Sequence, residues 1–243
     1  MMDYCKNLWV KFAELRSVQA QAEADLELAQ ASGELETTKT SLDSFKLANN
    51  QMLAEWESSI DILEDGRVIF KSEHELLDEL TRRNVVVDEA ECLEVENGRV
   101  IGLEIYNLNE YCSILHNFLS LKKLKIYSFL LEIDLTHIKD LKDLEELSLF
   151  ANSKEPINYS TIATLKKMKK LDLSGTNFRD TRDLAGLIKL EELNLTNTEV
   201  TDLSDLLLLP FLRKVTISGK ILAYSGQREI IEKLMRKSAV TIL

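Results

Sequence analysis

The chain has 243 residues, 45% of them hydrophobic and 29% charged, and its 41 acids outnumber 30 bases for a formal net charge of -11. This composition excludes a disordered chain and gives no support to nucleic-acid binding, which needs clustered Lys and Arg. The one dense basic cluster, Lys166 to Lys170, is short, and the longest apolar run, Leu206 to Leu212, contains Pro210 and cannot span a bilayer.

At the start, Met1 to Leu15 mixes Asp3, Lys6, Lys11 and Glu14 into its apolar residues, so no secretory signal is read there. A chain this long can build a core without staples, and Cys5, Cys92 and Cys112 need form no disulfide framework. The expected compartment is the cytoplasm, with a non-classical export route left open.

Residues 1–65 carry 13 acids and 5 bases, a net -8 that leaves -3 for the rest, which sets a domain boundary near Asp65-Gly66. The segment has no proline and only Gly33 as glycine. Leu35, Leu42, Asn49, Trp56 and Leu63 fall at heptad position a, with Thr38, Phe45, Met52 and Ser59 at d. Leu8, Phe12, Leu15, Ala22, Leu26 and Ala29 form an earlier stripe whose register does not join the later one across Ala31 to Glu34. An antiparallel helical hairpin is the preferred reading, and a coiled-coil rod is the alternative. Leu42, Phe45, Asn49, Met52 and Trp56 are the candidate oligomerisation residues, for a homodimer through residues 1–65.

Residues 66–99 read as an N-terminal cap. Strand-like Val68 to Phe70 and Val85 to Val87 flank a helix expected from about Glu73 to Arg83, opened by a capping box at Ser72-Glu-His-Glu75. Asn97-Gly98, inside an alternating stretch from Cys92 to Ile105, predicts a β-hairpin whose second strand begins at Val100.

From residue 100 to 222 the chain repeats itself. Lys169 to Leu190 laid over Glu191 to Leu212, an offset of 22, gives eight identities, among them Leu171/Leu193, Thr176/Thr198, Asp180/Asp202 and Leu187/Leu209. The same L-x-x-L-x-L frame extends through Val100-Leu103-Ile105, Leu121-Leu124-Ile126, Leu144-Leu147-Leu149, Met168-Leu171-Leu173, Leu190-Leu193-Leu195 and Leu212-Val215-Ile217. Alternation within each frame marks a short strand, and apolar positions between frames, such as Ile138, Leu141, Leu184 and Leu187, mark a segment returning behind it. No coil buries its apolar face alone, so stacking must supply the core. Residues 223–243 complete the stack as a C-terminal cap, with a helix over Gln227 to Lys237 and a strand over Ala239 to Leu243.

The frame resembles the leucine-rich repeat family, and Thr198 to Leu206 is similar to the 22-residue repeats of internalins and of phosphatase-regulatory subunits. The resemblance covers about Val100 to Leu222. It implies an α/β solenoid with a parallel β-sheet on its concave face and a role in binding proteins. The position usually held by an asparagine ladder reads Leu108, Phe129, Asn152, Thr176, Thr198 and Lys220, so only Asn152 keeps the usual residue. An insertion at Ser153 to Pro156 lengthens one coil and is expected to bulge its loop.

The same frame predicts three outward columns on the concave sheet. Gly102, Lys123, Glu146, Lys170, Glu192 and Lys214 alternate in sign from Lys123 onward and are expected to neutralise one another. The middle column is Glu104, Lys125, Ser148, Asp172, Asn194 and Thr216, and the third is Tyr106, Tyr127, Phe150, Ser174, Thr196 and Ser218. Adjacent exposed aromatics are the sharpest functional signal, because rigid aromatics are enriched at interface hot spots. Tyr106, Tyr127, Phe150, Lys125, Asp172 and Asn194 are therefore the candidate protein-binding residues, unless a loop or the N-terminal helices cover the patch.

Catalytic patterns find no support. His74, His116 and His137 are scattered, no C-x-x-C occurs, and the eight glycines form neither a P-loop nor a G-x-G-x-x-G turn. The expectation is a non-enzymatic protein-interaction module with no metal and no cofactor. The alternatives are a regulatory or adaptor subunit of an enzyme such as a phosphatase, or a coiled-coil oligomer whose function lies in residues 1–65.

Overall fold

The structure, a computed structural model, describes residues 58–63, 68–82, 93–106, 110–128, 133–151 and 157–243. These fall in two compact units, one ending at Lys71 and one beginning at Ser72. The candidate oligomerisation residues Leu42, Phe45, Asn49, Met52 and Trp56, the Val85 to Val87 stretch, and the Ser153 to Pro156 insertion lie outside the described residues.

In the first unit, β1 (Ile60–Ile62) pairs antiparallel with β2 (Val68–Phe70), matching Ile60 with Phe70 and Ile62 with Val68. The heptad frame extends to Leu63, but among the described residues helix ends at Ser59 and strand begins at Ile60. Ile60 and Ile62 flank Asp61 with strand periodicity, and pairing with β2 overrides the helical frame there.

The cap helix α1 runs over Lys71–Arg82, all but its first residue in the second unit, beginning two residues before the capping box places it. Ser72 is already inside the helix, and Glu73 is used for packing instead. Its side chain is 3% exposed and receives a hydrogen bond from Arg99 Nη1 at 2.8 Å. Burial raises the pKa of Glu73, while the Arg99 guanidinium works in the opposite direction.

The hairpin forms as expected. Strand β3 (Leu93–Glu96) turns into β4 (Arg99–Tyr106) through Asn97 at φ 52° and Gly98 at φ 75°, the left-handed pair that a two-residue hairpin loop demands. Strands β5 (Lys123–Ser128), β6 (Glu146–Ala151), β7 (Lys170–Asp172), β8 (Glu192–Leu195), β9 (Lys214–Ile217) and β10 (Ala239–Ile242) continue the chain. They form one eight-stranded sheet in chain order, parallel throughout except where β3 meets β4.

The register matches the repeat frame residue for residue. Leu103, Leu124, Leu147, Leu171, Leu193 and Val215 lie side by side across β4 to β9. Each is 2% exposed or less, and the second inward row, from Ile105 to Ile217, is equally buried. Behind the strands run 3-10 helices at Leu135–Ile138, Tyr159–Thr164, Thr181–Leu184 and Ser204–Leu208. Their apolar residues Ile138, Ile162, Leu184 and Leu206 are fully buried, so sheet and returning turns share one continuous core of leucine and isoleucine.

Aspartates begin several of these turns. The Asp134 carboxylate accepts from the Thr136 N–H at 2.9 Å, Asp180 from the Arg182 N–H at 3.0 Å, and Asp202 from the Ser204 N–H at 2.9 Å. In each case the carboxylate satisfies a donor that the tight turn leaves free, as an N-cap does.

At the ladder position, the hydroxyls of buried Thr176 and Thr198 donate to the carbonyls of Leu173 and Leu195, at 2.7 and 2.8 Å. Each of these bonds ties a threonine to its own coil, where an asparagine ladder would link one coil to the next. Gly175 and Asn197, one residue earlier, take φ of 73° and 57° as the chain leaves the strand.

The C-terminal cap consists of helix α2 (Gln227–Met235) and β10. Gln227 is 5% exposed, accepts from the Leu203 N–H at 3.0 Å and donates to Asp202 at 3.0 Å. The Lys237 ammonium donates to the carbonyls of Leu206, Leu207 and Leu209 at 2.9 to 3.2 Å, closing the end of the preceding 3-10 helix.

Candidate functional site

The outward face of the sheet carries the three columns in the expected register: Gly102, Lys123, Glu146, Lys170, Glu192 and Lys214 lie abreast, as do Glu104, Lys125, Ser148, Asp172, Asn194 and Thr216. Tyr106, Tyr127 and Phe150 lie abreast at the far end of β4, β5 and β6.

These three rings stack. Tyr106 and Tyr127 have centroids 5.0 Å apart with planes inclined by 12°, and Tyr127 and Phe150 are 4.9 Å apart at 9°. The spacing is that of neighbouring strands, so the parallel sheet itself holds the rings at stacking distance. Each ring is half-buried, leaving part of its surface open on the outward side of the sheet.

The middle column is more interlinked than its polar composition suggests. Lys125 bonds Glu104 on the adjacent strand. The Asn194 amide donates to Asp172 Oδ2 at 2.9 Å, while Asp172 Oδ1 accepts from the Ser174 N–H at 2.8 Å. Asn194 Oδ1 accepts from both the N–H and the hydroxyl of Thr196, at 3.1 and 2.7 Å. Asp172 and Asn194 are thus locked in one orientation across β7 and β8.

In the first column, Lys170 stands 3.6 Å from Glu146 and 3.8 Å from Glu192, and Lys214 3.6 Å from Glu192. Lys123 departs from the expected neighbour and pairs at 2.8 Å with Glu94 of β3. Gly102 permits this, because a Cβ there would come within 2.9 Å of the Glu94 side chain. The Glu94 bond raises the Lys123 pKa above its ordinary value.

A second alternating column, one residue upstream, escaped the sequence reading. Lys122, Glu145, Lys169, Glu191 and Arg213 enter consecutive strands, with Lys169 bonded to Glu145 at 2.7 Å and Arg213 to Glu191 at 3.5 Å. The five coils after the first therefore open with a like-charged pair: Lys122-Lys123, Glu145-Glu146, Lys169-Lys170, Glu191-Glu192 and Arg213-Lys214. The sign reverses from coil to coil. The signal lies in the repeat frame itself, at the position beside the first outward column.

Between β6 and β9 the face dips into an open recess of about 240 Å³, lined by Glu146, Ser148, Lys170, Asp172, Glu192, Asn194, Lys214 and Thr216 together with Leu147, Leu171 and Leu193. The aromatics and this recess are features of the face able to hold a ligand.

Among the described residues no three His, Cys, Asp or Glu side chains converge as a metal site. His74 lies in α1, His116 in the 3-10 helix Glu110–Asn117, and His137 in the turn Leu135–Ile138, where its Nε2 is 3.6 Å from Asp134. No described helix is long and apolar enough to cross a membrane.

No family model matches the chain, and no curated protein matches it. Among solved structures, it is similar to an internalin of Listeria monocytogenes at 20% identity and a TM-score of 0.40, covering 61% of this chain and 52% of that one. An internalin C2 of the same organism is 24% identical with a TM-score of 0.39, covering 54% and 55%. A leucine-rich repeat protein of Leptospira interrogans is 25% identical with a TM-score of 0.43, covering 55% and 34%. The chain spans about half the length of the two internalins and a third of the Leptospira protein.

Proposed function

We propose that this leucine-rich repeat solenoid is a non-enzymatic interaction module whose concave face binds a protein or peptide. The stacked Tyr106, Tyr127 and Phe150 support the reading, because a rigid aromatic platform offers apolar contact at little cost in side-chain entropy. In this reading Lys125, Asp172 and Asn194 are the polar contacts beside the platform. Asp172 and Asn194 are fixed by their mutual hydrogen bond and so are preorganised for a partner.

The test is affinity for peptides selected against the full chain from a displayed random library. Truncating Tyr127 and Phe150 together to alanine should weaken binding by ~10-fold or more, the loss of an aromatic hot spot. The thermal melting curve should stay within a few degrees of the parent's, since both rings are half-buried on an open face. Unchanged affinity would remove the aromatic platform from the binding surface.

A further inference from the structure

The two ends of the eight-stranded sheet differ in charge. At one end, β3 carries Glu94 and Glu96, paired with Lys123 and Lys122 at 2.8 and 2.6 Å, and charges of this kind blunt an edge against further pairing. At the other end, β10 runs through Ala239-Val-Thr-Ile-Leu243 with no charged side chain and no proline. Ile242 is 37% exposed and Leu243 71%. Uncharged, β-branched edges of this sort are templates for another strand.

The hydrogen bonds of β10 define what its outer side offers. The Ala239 N–H donates to Arg213 O at 2.7 Å, the Leu243 N–H to Ile217 O at 2.9 Å, and Leu243 O accepts from the Gly219 N–H at 2.7 Å. Residues 239, 241 and 243 therefore turn their backbone groups toward β9. Alternation along the strand turns both the N–H and the C=O of Val240 and Ile242 outward. In register with Val215 and Ile217, these same two residues continue the buried rows of the solenoid.

We propose that β10 is a self-association edge, to which a second copy of this chain adds its own β10 antiparallel about a two-fold axis through Thr241. In that register Val240 faces Ile242 of the second copy as a hydrogen-bonded pair, and the symmetric pair does the same. Every outward N–H and C=O of the two residues is thereby satisfied. Thr241 meets its own counterpart in the close, non-hydrogen-bonded position, and Leu243 lies against the small Ala239. The strand is nearly symmetric about Thr241, with a β-branched residue on each side and no charged side chain to bury, which favours its own copy over an unrelated strand. An axis perpendicular to the sheet leaves both concave faces on the same side, and two eight-stranded sheets become one.

Sedimentation of the full chain between about 1 μM and 1 mM is the first measurement, because so short a contact belongs to the weak class of interfaces. The expected result is a reversible dimer. Val240→Pro removes an outward N–H and leaves the bonds to β9 intact, so it should weaken association by ~10-fold or more with unchanged circular dichroism and melting. Ile242→Lys should do the same through charge. In a background with Cys5, Cys92 and Cys112 replaced by serine, Thr241→Cys should oxidise readily to a covalent dimer, since non-hydrogen-bonded pairs place Cα atoms ~4.5 Å apart. Ala239→Cys should not. A parent chain that stays monomeric at every concentration overturns the proposal and leaves the edge to a strand of another protein. A dimer indifferent to both edge variants overturns it by moving association elsewhere, and Ala239→Cys cross-linking as fast as Thr241→Cys overturns the register.

Discussion

Asp134, Asp180 and Asp202 begin their turns by accepting a backbone N–H, and in all three the carboxylate pKa is held below its ordinary value by hydrogen bonds. For Asp202 the Ser204 N–H is the largest cause and the Gln227 amide the next. A carboxylate with a depressed pKa in the folded state contributes stability above its unfolded pKa and loses it as pH falls through the lowered value. Asp202→Asn should therefore destabilise the fold at pH 7, and the deficit should shrink toward zero in acid below the ordinary carboxylate range. Urea denaturation of both proteins at a series of pH values checks this, and a deficit that persists undiminished in acid would contradict it. The identity Asp180/Asp202 is visible in the repeat alignment, but its role is not. Only the turn geometry shows that the side chain bonds the backbone two residues on.

The strand-entry pairs act as an element-level device. Glu145-Glu146 sits between Lys122-Lys123 and Lys169-Lys170, and the coil spacing brings opposite signs together at every step. A coil misplaced by one position would set like charges abreast, so the alternation favours the native order of stacking. Each exposed pair is worth only ~0.2–1 kcal/mol, yet reversing one coil turns attraction into repulsion on both sides. Glu145→Lys with Glu146→Lys should destabilise the fold by about 1–2 kcal/mol at low ionic strength, and 1 M salt should remove most of that loss by cutting the screening length to ~3 Å. Denaturation midpoints at the two salt concentrations decide it. The two proteins would differ equally at both if the effect were packing alone.

Across the whole second unit, each coil pairs with its neighbours, and stability comes from buried rows that run through all of them. Leu171, 2% exposed on the central strand β7, is flanked by Leu147 and Leu193, so a cavity there weakens two interfaces at once. Leu171→Ala should cost about 2–5 kcal/mol. Ile188→Ala, at a site 55% exposed, should cost no more than ~0.5 kcal/mol. The two urea midpoints provide the contrast, and similar values would mean that the leucine rows do not carry the stability.

The amino-acid sequence alone determined the solenoid: the strand frames, their parallel register, the Asn97-Gly98 hairpin, the terminal helix and strand, and the three outward columns all follow from where apolar residues recur. Such features are local or periodic, and each coil repeats the same solution, so short-range pattern suffices to read them. Tertiary structure decided what depends on partners distant in sequence. Ser72 and Glu75 have the local spacing of a capping box, but the helix begins at Lys71, ahead of Ser72, and Glu73 between them bonds Arg99 of the hairpin. Ile60 to Ile62 leave the helical frame for a strand because β2 offers a partner. Lys123 turns to Glu94 because the antiparallel β3 lies beside the first coil, where the repeat frame has no member. The aromatics lie at adjacent positions in the sequence frame, but only the strand spacing brings their planes into a stack.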